Sequence, residues 1–303
     1  MVTANIDVST PATESTTLGS QTRKGATAWK RFRRHKLALA GLGFMVLVVF
    51  VAIAAPWLGT QNPAQTSLSD SLKPPSSTHF LGTDLTGRDV WSRLAYASRT
   101  SLIAGVGSML IAVLISLILG TVSGYFGGIV DMVVMRFTDV IMCIPSLIIV
   151  MALVAVIGPG LVNIVIAIGV LGWTGITRLL RAQILVVRER EFVTAATSSG
   201  ASHMRIMLLH ILPNAFSPVL VAATLGVAGA ILTEASLSFL GFGILPPASS
   251  WGEMLNAARS LTRLQENLWI WLPPGLMILF TVLAITFIGD GLQDSLDPRQ
   301  KEK

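Results

Sequence analysis

Four stretches of the chain, 37–69, 100–130, 140–177 and 267–289, contain no Asp, Glu, Lys or Arg. A helix crossing hydrocarbon needs about 20 apolar residues, and each stretch is long enough to supply at least one. Glycine and proline divide the apolar pattern further. Gly124-Tyr125-Phe126-Gly127-Gly128 closes one run, and Gly158-Pro159-Gly160 separates two others. The resulting spans are 37–57, 101–124, 133–157, 161–180, 214–240 and 268–289. Gly105, Gly107 and Ser108 give the second a small-residue strip suited to close helix packing. The fold class this predicts is an all-α membrane protein of about six transmembrane helices.

The polar stretch 58–99, with Pro63, Pro74 and Pro75 and no long helical period, reads as an external segment. Residues 1–28 are rich in Ser, Thr and Ala with almost no large apolar residue, which predicts a disordered tail. A cleaved secretory signal competes for the first apolar run. That run is as long as a full span and follows a long polar leader, so a retained helix is preferred. No internal repeat is visible, which argues against a repeat-built secondary carrier.

Composition agrees with the pattern: 52% of residues are hydrophobic and 13% charged, against about a quarter charged in soluble domains. The formal net charge of +6 raises nucleic acid as a partner. The basic residues do not interleave with stacking aromatics, and membrane orientation accounts for them better. With six spans, sixteen of the 22 Lys and Arg fall on one side, among them Lys30, Arg31, Arg33, Arg34, Lys36, Arg178, Arg181, Arg188, Arg190 and Arg205. By the positive-inside rule that side is the cytoplasm, with both termini on it. The one cysteine, Cys143, excludes an internal disulfide and a cysteine-cluster metal site, and its apolar setting predicts inert packing. His79, His203 and His210 have no metal-ligand spacing.

The loop after the fourth span carries the most specific signal. Residues 188–203 are too polar for lipid, and their first half fits a short amphipathic helix with Ala195, Ala196 and Ser199 on one face, open to close approach by another backbone. Gly200 permits the left-handed turn that would end it. Residues 204–209 lead to His210-Ile211-Leu212-Pro213, where Pro213 suits the first turn of the next span. The loop 183–213 is thus expected to be a helix, a turn and a helix projecting from the membrane.

This segment resembles the E-A-A, three residues, G, nine residues, I-x-L-P pattern of ATP-binding-cassette importer permeases at Ala195, Ala196, Gly200, Leu212 and Pro213, with Thr194 standing for the family's Glu and His210 for its Ile. His79-Phe80-Leu81-Gly82-Thr83-Asp84 through Arg88-Asp89 to Arg93-Leu94, then Tyr125-Phe126-Gly127-Gly128, Asp131, Arg136, Asp139, Pro145, and Glu234-Ala235-Ser236-Leu237-Ser238-Phe239-Leu240-Gly241 with Ser250-Trp251-Gly252, are similar to the dipeptide, oligopeptide and nickel importer permeases, in particular the second permease subunit.

The resemblance implies a type I importer transmembrane domain over 100–292, preceded by the first span with its external segment (29–99) and followed by a cytoplasmic tail (293–303). It also implies a bacterial inner or plasma membrane location, a second homologous permease subunit as heterodimeric partner, two ATP-binding subunits that use ATP and Mg, and an extracytoplasmic substrate-binding protein. The ATPase-coupling residues implied are Glu191, Thr194, Ala195, Ala196, Ser199, Gly200, Ala201, His210, Leu212 and Pro213.

This chain has no GxxxxGK[ST] phosphate loop and no Gly-Lys dipeptide, so no cofactor and no catalytic residue is assigned to it. Blander readings stand beside these. Gly82 with Asp84 and Gly87 with Asp89 fit plain turns. Arg136 and Asp139 fit first a local ion pair at (i, i+3) that orients a span and second a pathway or gating role. Glu234 reads first as a structural acid at the outer interface and second as a pathway or gating residue. Peptides are the substrate class the resemblance favours, with nickel chelates or other small solutes as alternatives. An ion-coupled carrier would want ionisable residues at mid-membrane, of which the chain has few. A membrane protease would want a catalytic dyad or HExxH, and neither is visible.

Overall fold

The structure, a computed structural model, describes Trp29 and residues 31–296; the tail assigned to 1–28 and the last seven residues lie outside the described residues. Helix α1 is Lys36–Leu58 and α2 is Val90–Phe126. Helices α3, Gly128–Met142, and α4, Ser146–Ile157, form a bent pair. Helix α5 is Leu161–Arg188 and α6 the short Glu191–Ser198. Helix α7 runs His203–Leu240 without interruption. The short helices α8, Trp251–Leu255, and α9, Leu261–Glu266, precede α10, Leu268–Leu296.

The number of crossings follows from how α2 packs on α5. Gly107 lies against Val165, Gly169 against Ile111, Gly120 against Leu180 and Gly124 against Ile184, so the contacts advance in step along both helices. The two helices are therefore parallel over roughly 25 Å, at about 1.5 Å per residue. The chain between them must return the same distance, and only α3 and α4 lie there. Among the described residues, five helices are long and apolar enough to cross singly, and the bent pair makes the sixth crossing.

These glycines have a packing reason. A Cβ on Gly169 would sit 2.7 Å from the Ile111 Cβ and 2.8 Å from the Ser108 carbonyl oxygen. One on Gly124 would sit 2.9 Å from Ile184. In lipid no hydrophobic force pulls helices together, and close backbone approach takes its place.

The third span was expected as one helix over 133–157. It breaks instead at Cys143-Ile144-Pro145, with 85° between the two halves. Pro145 has no N–H to continue α3, and it biases the residue before it away from helical angles. Cys143 is exposed at that break rather than packed.

The second span begins at Val90, well before position 101. Asp89 caps it, its carboxylate accepting the Ser92 N–H at 2.8 Å. The polar residues Ser92, Arg93 and Ser98 in this first part, which suggested a loop, are buried inside the protein. A domain boundary at 99 thus falls within a helix. At the other end α10 continues through Leu296, so the final tail does not start at 293.

Helix α1 packs antiparallel to α10. Gly41 lies against Ala284, Gly291 against Ala38, and Phe44 meets Phe280 edge to face at 6.0 Å. The start of α1 and the end of α10 thus share one end of the bundle. Helix α6 lies at this same end, hereafter the hairpin end; the segment 59–89 and helix α8 lie at the opposite, loop end.

Candidate functional site

At the hairpin end, α6 is short because its start and stop are both written locally. Glu191 sits in its first turn, and Gly200, at φ 76°, ends it. The Gly200 N–H bonds the Thr197 carbonyl at 3.0 Å and the Ala201 N–H the Ala196 carbonyl at 3.2 Å. This is the paired arrangement that a left-handed C′ residue produces.

One side chain anchors the hairpin. Val193, 4% exposed, joins Leu180, Ile184, Ile206 and Ile211 in an apolar cluster where α5 and α7 meet. Ala196 and Ala201 pack against that cluster. Glu191, Thr194, Ala195, Ser199 and Gly200 are exposed. Ala196 therefore belongs to the inner face, not to the open face with Ala195 and Ser199: Val193 and Ala196 are three apart and must point the same way.

The second arm was expected as a separate helix ahead of the fifth span. It is the first part of α7, joined through a π-helical turn at Ile206–Ile211. Pro213 cannot donate to the carbonyl four residues back and would crowd it in a regular helix. A wider turn removes the conflict. Asn214 Nδ2 donates to the His210 carbonyl at 2.7 Å, satisfying an acceptor at the same place. With α5 reaching Arg188 and α7 starting at His203, the loop assigned to 183–213 shrinks to 189–202.

Contacts missed from the sequence tie the hairpin to α2. Tyr125 Oη lies 2.7 Å from His203 Nδ1. Arg188 Nη1 donates to the Tyr125 carbonyl at 3.1 Å. About two turns inward, Arg181 binds Asp131 through Nε and Nη2, and Ser123 Oγ donates to the same carboxylate at 2.5 Å. Asp139 pairs with Arg178, whereas Arg136, with its side chain 81% exposed, approaches Asp139 only to 3.9 Å. The local Arg136–Asp139 pair is thus secondary to an interhelical one.

At the loop end, a second constellation centres on Arg93, 3% exposed at the start of α2. It binds Asp84 through Nη1 and Glu253 through Nη2, and its Nε donates to Ser249 Oγ at 3.1 Å. Residue 84 and the segment 249–253 thereby meet on one guanidinium at the start of α2. Asp84 also accepts Thr86 N–H at 2.8 Å, Arg88 N–H at 3.0 Å and Arg88 Nε at 2.8 Å. The turns at Gly82 and Gly87, φ 69° and 74°, shape this segment. Asp89 is fixed by Ser92, by His79 Nδ1 at 3.0 Å and by Thr60 Oγ1 at 3.2 Å.

The two acids respond differently. Burial pushes the Asp84 carboxyl up, but Arg93, Arg88 and the backbone donors outweigh it and hold the group below the usual carboxylate range. Burial raises Glu253, and the attraction of Arg93 and Arg88 does not fully cancel it. Arg93 escaped the sequence reading as a site because one Arg near a span end signals only topology. Its partners are 9 and 160 residues away.

Glu234 lies nearby but not at an interface: it is fully buried, accepting Ser238 Oγ at 2.7 Å and Ser101 Oγ at 3.4 Å. Ser101 Oγ in turn accepts the Trp251 N–H at 3.1 Å. Glu234 joins α7, α2 and α8, and it is not brought together with Arg136 or Asp139, which sit toward the hairpin end.

The model of the binding-protein-dependent transport system inner membrane component matches residues 112–302, and that of the N-terminal TM domain of oligopeptide transport permease C matches 25–75. The chain is 41% identical to the di/tripeptide transport system permease protein DppC of Pseudomonas aeruginosa, across 90% of this chain and 91% of that one. Identity is also 41% with the dipeptide transport system permease protein DppC of Bacillus subtilis, covering 90% and 85%. With the oligopeptide transport system permease protein OppC of Bacillus subtilis it is 39%, covering 92% of each. A multi-pass helical bundle with a small-residue hairpin at one end, matched along nearly its whole length, belongs to the binding-protein-dependent transport system inner membrane components and is a permease subunit of an ATP-binding-cassette importer.

Proposed function

We propose that this permease forms half of the translocation pathway for di- and oligopeptides in a bacterial inner membrane. A second homologous permease subunit completes the pathway, two ATP-binding subunits dock on the cytoplasmic side, and an extracytoplasmic binding protein delivers substrate. The observation that carries the coupling is the hairpin 189–202, exposed along Glu191, Thr194, Ala195 and Ser199 yet rooted through Val193 where α5 and α7 meet. A push on such an element moves two spans at once, because packed cores shift as units. Nucleotide-driven closure of the ATPase pair then alternates access between the two faces. The start of α1 and the end of α10 share the hairpin's side, which on this reading is the cytoplasm, and ATP and Mg are used by the partners.

Peptide transport is favoured by the names of the relatives over nearly the whole chain. The test is uptake of labelled dipeptides, oligopeptides and nickel by cells with and without this chain. Gene-dependent peptide uptake that stops on ATP depletion supports the reading. Gene-dependent nickel uptake without peptide uptake, or uptake that follows an ion gradient instead of ATP, overturns it.

A further inference from the structure

A cavity of about 290 Å³ opens at the loop end beside the Arg93 constellation. Its polar wall includes Arg88 and Glu253, and its apolar wall Ile244, Leu245 and Met254. Arg88 spends Nε on Asp84, and among the described residues its Nη1 and Nη2 have no hydrogen-bond partner. Glu253 gives Oε2 to Arg93, which leaves Oε1 equally open. Neither side chain is far from water, at 12% and 13% exposure, and the cavity is their access to it. The pocket thus presents a cation and an anion with open hydrogen-bonding positions, within electrostatic reach of each other, together with apolar side chains.

We infer that this cavity is a binding subsite for a small zwitterion, an amino acid or dipeptide, whose carboxylate meets Arg88 and whose ammonium meets Glu253. Guanidinium suits a carboxylate because two parallel N–H donors match two oxygens. The raised Glu253 carboxyl fits, since a buried carboxylate with incomplete compensation gains from an added ammonium. The volume lies at the small end of ligand sites, roughly 300 to 1,000 Å³, so one or two residues fit and a long peptide does not. This inference rests on the peptide reading above, under which the loop end faces the side where substrate arrives.

The test uses the assembled importer in lipid nanodiscs, without nucleotide or binding protein, titrated with alanyl-alanine, its N-acetyl form and its C-terminal amide. The free dipeptide binds, and each capped form binds at least about tenfold more weakly, the loss of one charge-assisted contact. Leu245→Trp, at a half-exposed wall position where folding is not at stake, abolishes binding, and Arg88→Gln weakens it to the level of the amide. Equal binding of free and capped forms, or no effect of Leu245→Trp, overturns the subsite. Peptide uptake by the wild-type importer with its binding protein separates the two failures. Uptake that both variants leave unchanged overturns the pocket and leaves the peptide reading standing. A wild-type importer that takes up no peptide overturns the peptide reading and the pocket that rests on it.

Discussion

Arg188 at the end of α5 reaches across to the Tyr125 carbonyl at the end of α2, Nη1 to oxygen 3.1 Å. Two spans that end side by side run the same way, so the broken pair α3–α4 has to carry the chain back between them. That pairing sets the hairpin 189–202 beside the end of α2, and the antiparallel packing of α1 on α10 brings both described termini together at one end.

The α2–α5 seam is close enough that added bulk separates the helices. Gly169→Val is expected to destabilise by about 1 to 3 kcal/mol, the usual cost of overpacking, because its Cβ alone would press on Ile111 and the Ser108 carbonyl. Gly43→Ala, where a Cβ meets nothing within 4 Å, is the matched control. Thermal unfolding in one detergent, read for both variants, checks this; equal midpoints contradict it.

Asp84 and Glu253 share Arg93 but are expected to differ on neutralisation. Asp84 is held below its ordinary range, so its ionised form stabilises the fold above the unfolded-state value, and this is lost as pH falls through the folded one. Glu253 is held above its range, so its ionisation on raising the pH opposes the fold. Asp84→Asn at neutral pH should therefore loosen the loop end, by up to about 3 to 5 kcal/mol as for a broken buried pair, and Glu253→Gln by much less. Hydrogen exchange of segment 59–89 reports the difference, and equal effects would refute the assignment.

Gly200 tests the hairpin without touching the bundle. A Cβ there meets nothing within 4 Å, so only the φ of 76° resists substitution. Gly200→Val should cost about 1 to 2 kcal/mol of local strain and reduce coupling to the ATPase, whereas Gly200→Asn, which tolerates this region, should retain it. ATPase copurification and peptide uptake are the readouts; indistinguishable Val and Asn variants would remove the turn from the mechanism.

Much of this was legible because the bilayer imposes a crude rule that sequence obeys. The six apolar runs, the helix-ending Gly200 and the small residues Gly105 and Gly107 all announce themselves by local pattern. What escaped depends on partners far along the chain. Arg93 looks like a loop residue until segments from 84 and 249–253 cover it, and Ser92 does until Thr60 and Gln61 bond its hydroxyl. Ala196 looks free until Val193 pins that face inward. The break at Pro145 was readable from backbone rules alone, yet the surrounding run is apolar enough to pass for one helix.

On the proposed function, hairpin and loop end lie on opposite sides of the membrane, with the hairpin facing the ATPase. In a Cys143→Ser background, Ser199→Cys and Thr78→Cys each place one exposed thiol, at the hairpin and at the loop end. A membrane-impermeant maleimide applied to intact spheroplasts should modify the residue-78 thiol alone, and the residue-199 thiol should react only in inverted membranes. Modification of both thiols from the same side, or of the residue-199 thiol from outside, would contradict the six-crossing topology and the proposed docking of the motor.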